Sequence, residues 1–442
     1  MRNSAENNSK NKITYIIITI VIAVCGLCLS GCELLEDIGY AVQDISEEIV
    51  GHLRYRDEDD YEIDVVSGET PEFIITITDD EAEQSSFENA ARLSGNSLTS
   101  IRVNEISNII DGYAYAMLMD EERAIYDQIY DLLANFKTDV VLSTTDTDIL
   151  DHAFTCVLID HPEIFYVKGY SVKTYSKESV IEKISMTGTY TMTQSQAIEL
   201  SKELDGYYAA CLSGIPADAD EYERVRDVYQ YIIRHTEYDL KAPNNQNVLS
   251  VFMNHRSVCQ GYAKAMQYIL NRMGIFCTLV EGTVKGTEAH VWDMVRINGE
   301  YYHVDPTWGD ASYRLVSDED DRESLPPPEI NYDYLCITTQ EILKTHSIKE
   351  VVPVMECTSM ENNYYVREGL YFTYVDDEGL HRAFDTAYEN SQLTITIKCS
   401  DDKVYGDMVE YLLTNQKIFN YLANTSVSYV TVEEQEEIIF YL

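Results

Sequence analysis

The sequence predicts an α+β fold in which one buried helix packs on an antiparallel sheet, with smaller α/β regions on either side. Residues 257–273 place apolar side chains on nearly every face of a helix, which is typical of a helix buried all round. Three β-like runs follow, and Asn298-Gly299, a dipeptide typical of two-residue hairpin turns, joins the last two. The predicted core is therefore one helix followed by antiparallel strands.

Composition excludes several classes of protein. The chain of 442 residues has a formal net charge of −44, from 32 Lys and Arg against 76 Asp and Glu. This charge excludes an ordinary nucleic-acid binder, because phosphate binding needs clustered cations. Apolar residues make up 45% of the chain, which excludes a disordered protein and is enough for more than one hydrophobic core.

The first residues predict an export and anchoring signal. The polar, basic residues 1–12 lead into the apolar run 15–29, which has the length of a signal-peptide core and is short for a membrane span. The run ends in L-S-G-C, residues 29–32, which resembles the lipobox of bacterial lipoproteins. This resemblance implies a lipoprotein signal peptide over residues 1–31, lipidation of Cys32, and a lipid-anchored protein on the extracytoplasmic face of the cell membrane. An uncleaved N-terminal anchor helix is the alternative.

Four further segments are expected after the signal peptide. Residues 32–100 are acidic and polar, and we expect them to form a solvated stalk or linker. Residues 101–190 are expected to form an N-terminal α/β region, residues 191–350 the core, and residues 360–442 an appended C-terminal α/β module.

Periodicity predicts secondary structure in the flanking segments. Helical spacing of apolar residues predicts helices over residues 120–136, 149–159, 219–235 and 403–415. Alternating or continuous apolar runs predict strands over residues 163–175, 391–399, 427–432 and 438–441. Asp120 is the expected N-cap of the first of these helices.

The cysteines do not suggest a disulfide framework. After Cys25, Cys28 and Cys32, seven cysteines remain, which is an odd number, and they are scattered without C-x-x-C pairs. This distribution argues against a disulfide scaffold and against a zinc knuckle.

Three residues in the core carry the predicted chemistry. Cys259 lies in the first turn of the buried helix, where unpaired N–H groups and the helix dipole favour the nucleophilic thiolate. His290 begins one hairpin strand, and Asp305 ends the next strand just before Pro306. With a two-residue turn, residues whose numbers sum to about 597 face each other. His290 therefore lies diagonally across from Asp305 on the same face, within reach of a hydrogen bond.

Each of these residues alone has a simpler interpretation. A lone cysteine on an apolar helix is usually an inert core residue, and a buried histidine is usually structural, as we expect for His303. Asp305 alone could be a turn residue that ends a strand. Because Cys259 lies at a helix start and is followed in order by His290 and Asp305, the catalytic interpretation is favoured.

The segments around these residues resemble a known family. S-V-C-Q-G-Y-A, A-H-V-W-D and Y-Y-H-V-D-P-T-W-G-D resemble the signature blocks of bacterial transglutaminase-like domains, which belong to the papain-like superfamily. The resemblance is good over residues 221–310 and extends weakly over residues 160–167 and 334–346. One departure is Asp293, where many relatives have Asn, and it leaves the substrate specificity open.

The resemblance implies a transglutaminase-like core in which Cys259 is the nucleophile, His290 the base and Asp305 the residue that orients the imidazole. The backbone N–H of Cys259 is the expected oxyanion donor, and Tyr238 is a candidate second donor. Trp292 and Trp308 are candidates for positions beside the substrate, although packing around the site is the favoured interpretation for both.

The expected activity is acyl transfer through a thioester on peptide or side-chain amides. Attack of water would make the protein a hydrolase or peptidase, and attack of a lysine amine would make it a cross-linking transferase. The expected partners are a protein or cell-wall peptide substrate and the membrane, reached through the lipid anchor. No cofactor and no metal are expected. The alternative is a catalytically inactive lipoprotein that binds or scaffolds at the cell surface.

Overall fold

The computed structural model describes residues 53–56, 62–69, 112–310, 328–423 and 426–442. The signal-peptide segment, Cys32 and most of the predicted stalk lie outside the described residues. Among the helices of the described residues, none is both long enough and apolar enough to span a membrane.

The described strands are, in chain order, β1 (Leu53–Arg56), β2 (Glu62–Glu69), β3 (Val140–Val141), β4 (Val167–Lys177), β5 (Val180–Tyr190), β6 (Glu237–Tyr238), β7 (Arg256–Ser257), β8 (Cys277–Val284), β9 (Glu288–Ile297), β10 (Glu300–Val304), β11 (Leu335–Ile337), β12 (His346–Lys349), β13 (Tyr371–Phe372), β14 (Thr394–Cys399), β15 (Ser428–Val432) and β16 (Glu437–Tyr441).

The described α-helices are α1 (Tyr113–Met117), α2 (Asp120–Ala134), α3 (Thr147–Asp160), α4 (Gln194–Ser213), α5 (Glu221–Arg234), α6 (Val248–Phe252), α7 (Cys259–Arg272), α8 (Thr339–Ile342), α9 (Tyr364–Arg367), α10 (Asp377–Glu389) and α11 (Asp402–Val409). A π-helical turn, Glu410–Thr414, continues α11. Short 3₁₀ turns lie at Tyr332–Tyr334, Lys417–Asn420 and Glu433–Gln435.

The chain divides into two compact units, residues 1–67 with 171–182 and residues 68–170 with 183–442. In the first unit, β1 and β2 pair antiparallel, with Leu53 opposite Val65. The second unit contains every element that forms the candidate site.

An antiparallel sheet forms the core of the second unit, in the strand order β11-β10-β9-β8-β12. Helix α7 packs on β8 and β9, and α5 and α6 pack against α7. Because α7 has neighbours on several sides, its residues from Cys259 to Ala263 and from Ala265 to Leu270 are all buried. The predicted buried helix on an antiparallel sheet is confirmed.

The β9–β10 hairpin has the predicted turn and register. Asn298 and Gly299 adopt the left-handed conformation, with φ of 52° and 90°, as a two-residue hairpin turn requires. Ile297 pairs with Glu300 and Asp293 with Val304, so paired residue numbers sum to 597 throughout. The turn therefore sets which residues of the two strands share a face.

The strand β11 contains an irregularity beside the end of β10. His303 pairs with Ile337, but Val304 pairs with Leu335, so Cys336 is an extra residue on β11. Cys336 has a φ of 57°, which is the left-handed conformation that a bulge residue often adopts. Beyond the bulge, the Asp305 N–H donates to the Tyr334 carbonyl at 2.9 Å, and this bond fixes the backbone at Asp305.

The predicted helix over residues 120–136 is α2, but its expected N-cap is wrong. The N-cap residue is Met119, not Asp120. The Met119 N–H donates to the Glu122 carboxylate at 2.9 Å. Glu122 thus satisfies the exposed N–H group from within the first turn, and Asp120 is the first helical residue.

The C-terminal residues form a sheet in the order β13-β14-β16-β15, with α10 and α11. Ile397, Phe440 and Phe384 are among the residues of its hydrophobic core. Strands β14, β15 and β16 and helix α11 confirm the elements predicted for this region. All seven cysteines in the described part of the chain are buried free thiols.

Gly282 on β8 should not tolerate a side chain. A Cβ atom at this position would lie 1.9 Å from the Ser347 carbonyl oxygen and 2.8 Å from the Trp292 ring. We therefore expect Gly282→Ala to lower the free energy of unfolding by about 2 kcal/mol or more, because backbone and a buried indole would have to move.

The matched control for this substitution is Gly206→Ala in α4, where a Cβ atom would meet nothing within 4 Å. This control should leave the unfolding temperature unchanged or raise it, because alanine favours helix over glycine. Equal unfolding temperatures for the two variants would contradict the packing argument.

Candidate active site

Cys259 is the first residue of α7, and its N-cap is Val258. At this position the backbone N–H is not used by the helical hydrogen-bond ladder, and the positive end of the helix dipole points at the residue. The following turn is tightly packed, because a Cβ atom at Gly261 would lie 2.0 Å from the Ser257 hydroxyl oxygen. The sulfur is buried, with the residue 2% exposed.

His290 on β9 connects the other two residues. Its Nε2 lies 2.7 Å from Asp305 Oδ2. Its imidazole also interacts electrostatically with Cys259, and this interaction raises the pKa of His290. Because Nε2 is used by Asp305, Nδ1 is the nitrogen left for the thiol. The structure therefore brings Cys259, His290 and Asp305 together in the predicted order.

Asp305 is held by more donors than the sequence suggested. Its Oδ2 also contacts His346 Nε2, at 3.0 Å. Its Oδ1 accepts hydrogen bonds from the backbone N–H groups of Thr307 at 2.9 Å and Trp308 at 3.1 Å. Both carboxylate oxygens thus have two partners, which fixes the plane of the carboxylate under the imidazole of His290.

His346 is the residue of this site that sequence reasoning missed. It begins β12 at the far edge of the sheet and is buried. Its Nδ1 lies 2.7 Å from the Thr345 hydroxyl oxygen. The one available signal was its position at the end of the weakly similar segment 334–346, which does not identify a partner.

Asp305, His290 and His346 have pKa values that are shifted in different directions. Burial alone would raise the pKa of Asp305, but the charge and hydrogen bond of His290, with the hydrogen bond of His346, hold that pKa below its usual value. Burial alone would lower the pKa of His290, but Asp305 and Cys259 raise it to about 10. The pKa of His346 is lowered by burial, against the opposing effect of Asp305. At neutral pH the imidazole of His290 is therefore protonated and positively charged. The imidazole of His346 is neutral and donates a hydrogen bond to Asp305.

His303 and Trp292 form a separate, structural contact. The Trp292 indole N–H donates to His303 Nδ1 at 3.1 Å, and His303 Nε2 lies 3.2 Å from the Thr339 hydroxyl oxygen. Burial and His346 lower the pKa of His303 to about 3, so its imidazole stays neutral. Trp292 is fully buried below the His290 ring, at a centroid distance of 6.0 Å, and is a packing residue.

Trp308 and Tyr238 lie at different places around the site. The half-buried Trp308 ring contacts the His346 ring at 4.9 Å and lies 6.4 Å from the His290 ring, so it borders the site. Tyr238 is buried on β6 and pairs with Ser257, two residues before Cys259. The proposed role of Tyr238 as an oxyanion donor stays a prediction.

Asp293, the departure from the family pattern, is fully buried, and its surroundings favour the neutral carboxyl form. Burial raises the pKa of Asp293 well above its usual value, although the hydrogen bond from Cys277 opposes this effect. Cys277 Sγ donates to Asp293 Oδ1 at 3.3 Å. A protonated carboxyl group has nearly the shape of an asparagine amide, so the shift favours the form of Asp293 that most resembles Asn.

His290, Asp305 and His346 also have the residue types of a metal site. Their ligand atoms all lie within 4.8 Å of one another. The hydrogen bonds from the two imidazoles to Asp305 Oδ2 account for this arrangement without an ion.

Residues 212–306 match the family model described as transglutaminase-like superfamily. This segment is a transglutaminase-like domain. Cys259, His290 and Asp305 all lie within it, whereas His346 lies outside the matched residues.

Curated relatives match a small part of the chain. The transglutaminase-like domain is similar to kyphoscoliosis peptidase of Mus musculus and of Homo sapiens, with 28% identity over 105 residues in each case. The alignments cover 20% of this chain and 16% of the relatives, so the chain spans about a sixth of their length.

Solved structures match more of the chain at lower identity. A crystal structure of a TGase covers 36% of this chain and 47% of its own, with 14% identity and a TM-score of 0.24. The periplasmic domain of TgpA from Pseudomonas aeruginosa covers 33% of this chain and 73% of its own, with 13% identity and a TM-score of 0.21.

The raised pKa of His290 predicts how the stability of the transglutaminase-like domain depends on pH. The folded pKa of about 10 lies above the unfolded value of about 6.5, so the stabilising effect of the His290 charge is full below pH 6.5. It is lost as the pH rises through the folded value. Wild type should exceed His290→Gln in stability by about 3 kcal/mol at pH 6, and this difference should shrink towards pH 10.

Thermal unfolding of both proteins at pH 6, 8 and 10 measures this difference. The exposed His381 in α10, replaced by Gln, is the control and should change the stability at pH 6 much less than His290→Gln does. A His290 difference that is constant, or that grows with pH, would show that the imidazole is not charged in the folded protein.

Proposed function

We propose that this chain is a membrane-anchored, extracytoplasmic cysteine enzyme that transfers acyl groups through a thioester on peptide or side-chain amides. The observation that carries the proposal is that Cys259 begins α7 and interacts electrostatically with His290, whose Nε2 lies 2.7 Å from Asp305 Oδ2. Their place inside the matched transglutaminase-like segment supports the same assignment.

The proposed reaction has two halves. The Cys259 thiolate attacks an amide carbonyl, a C–S bond forms, and His290 donates its proton to the departing amine as the C–N bond breaks. Asp305 holds the imidazole and compensates its charge throughout. His290 then accepts a proton from the incoming nucleophile, which attacks the thioester and releases the thiolate. The Cys259 N–H is the proposed donor to the oxyanion.

The second nucleophile decides the class of enzyme. Water would make the protein a peptidase or amidase, and a lysine amine would make it a protein cross-linker. The name of the relatives, kyphoscoliosis peptidase, favours peptide hydrolysis. Protein and cell-wall peptide are both proposed as substrates.

A second candidate function rests on the burial of the site. Cys259 and His290 are each 2% exposed, so the sulfur does not lie on an open surface. This burial favours the alternative, a catalytically inactive lipoprotein that binds or scaffolds at the cell surface. The reactivity of the thiol separates the two candidates.

The enzyme proposal predicts selective alkylation. Cys259 and Cys277 are equally buried at 2%, but burial and Asp293 raise the pKa of Cys277 well above its usual value. Iodoacetamide at neutral pH should therefore alkylate Cys259 at least about tenfold faster than Cys277. Peptide mass spectrometry over a time course measures both rates in one sample.

The control for this labelling is His290→Ala, which should slow alkylation of Cys259 and leave that of Cys277 unchanged. Equal, slow labelling of both thiols in the wild type would support the inactive binding protein instead.

The anchoring proposal has a separate test. The L-S-G-C sequence at residues 29–32 supports acylation of Cys32, so the protein made in a bacterial host should carry a fatty-acid mass and partition into detergent. Cys32→Ala should remove the fatty-acid mass, whereas Cys28→Ala in the leader should keep it. A fatty-acid mass that persists in Cys32→Ala would disprove lipidation at this residue.

A further inference from the structure

A cavity of about 260 Å³ lies against the first turns of α7, the helix that begins at Cys259. Gln260 and Val291 are among the residues that line it, and they are the chain neighbours of Cys259 and His290. Its other walls come from residues 161–168 and from the loop 244–247. The cavity therefore adjoins the start of α7, the helix that begins at Cys259.

The cavity contains a lysine close to the site. Lys264 lies one helical turn after Gln260 on α7, so both side chains project from the same face of the helix. Glu281 on β8 lines the cavity as well, and Lys349 on β12 pairs with Glu281 across the sheet. Glu281 thus lies between Lys264 and Lys349, so one negative charge faces two positive charges.

The charge of the cavity differs from that of the protein. Lys168 and Lys264 face one acidic side chain, Glu281, among the lining residues. The whole chain has a formal net charge of −44. Two lysines and one carboxylate in the lining therefore contrast with the acidic composition of the chain, and Lys264 is complementary to an anion.

Gln260 is an independent indication of a ligand. Its side chain is 8% exposed, and its Oε1 atom has no hydrogen-bond partner among the described residues. A buried polar atom without a partner is costly, and such atoms are often satisfied by a bound molecule. The cavity therefore offers an acceptor at Gln260 and a cation at Lys264, one turn apart.

The titration behaviour of the two charged groups agrees with this geometry. Burial lowers the pKa of Lys264 to about 8, although Glu281 opposes this effect. Burial raises the pKa of Glu281 to about 7, although Lys349 and Lys264 oppose it. Near neutral pH Lys264 keeps its charge while Glu281 is close to losing its own, which increases the positive character of the cavity.

We propose that this cavity is the substrate subsite beside Cys259 and that it binds the carboxylate of an acidic peptide, with Lys264 as the residue that determines this specificity. The inference rests on the proposed function, because it assigns a substrate class to the same thiol. The Lys264 ammonium would bind the carboxylate, and Gln260 Oε1 would accept a peptide N–H from the same ligand.

The test measures protection of Cys259 from iodoacetamide in the full chain, purified in detergent. The probes are acetyl-Gly-Glu-Gly-Glu-Gly-amide, the same peptide with Met in place of each Glu, and the Met peptide with a free C-terminal carboxylate. The Glu peptide should halve the alkylation rate at about a tenfold lower concentration than the Met amide. The third peptide shows whether a C-terminal carboxylate can replace the side chain.

Three variants assign the preference to Lys264. Lys264→Gln should abolish the preference for the Glu peptide over the Met amide, and Lys264→Arg should keep most of this preference. Lys202→Gln, on an exposed position of α4, makes the same change in net charge and should keep it fully. If Lys264→Gln does not fold, the double variant Lys264→Gln with Glu281→Gln removes both buried charges together and should also abolish the preference.

The outcomes separate this inference from the proposed function. Fast alkylation of Cys259 with equal protection by the Glu and Met amides would overturn the subsite and leave the enzyme proposal intact. A preference that persists in Lys264→Gln would also overturn it. Slow alkylation of Cys259 would overturn the enzyme proposal. If alkylation is slow, binding of the Glu and Met peptides is compared by how much each raises the unfolding temperature of the protein. Equal rises for the two peptides would overturn the subsite as well.

Discussion

A buried carboxylate, Asp305, is the constraint on which the rest of the site depends. A charge in the protein interior is costly unless donors surround it, and here two imidazoles and two backbone N–H groups do so. These partners come from β9, from β12 and from the turn after β10. The raised pKa of His290 and its contact with Cys259 both follow from the position of this one charge.

Local signals were enough to predict the central part of the site. The Asn298-Gly299 turn determines the register of β9 and β10, and register determines that His290 and Asp305 meet. The start of α7 at Cys259 follows from the apolar periodicity of a single segment. These features depend on contacts between residues close in the chain, and hydrophobic pattern and turn chemistry specify such contacts well.

Features that depend on distant packing could not be predicted in the same way. His346 reaches Asp305 because β12 pairs with the far side of β8, and no turn or spacing in the sequence links those strands. The cavity beside Gln260 exists because loops from two distant segments approach α7. The sequence shows Asp293 where many relatives have Asn, but not the burial that raises the pKa of this carboxyl group. Helix α4 was also missed, because its mostly exposed surface carries a weak apolar pattern.

The second imidazole on Asp305 has a consequence for turnover. In the proposed reaction, any shift of His290 towards a leaving amine would weaken its hydrogen bond to the buried carboxylate of Asp305. His346 binds the same oxygen and is anchored on its other side by Thr345. The carboxylate of Asp305 would therefore keep a hydrogen-bond donor if His290 moved. This second donor lowers the electrostatic cost of such a movement, and the surrounding strands need not separate.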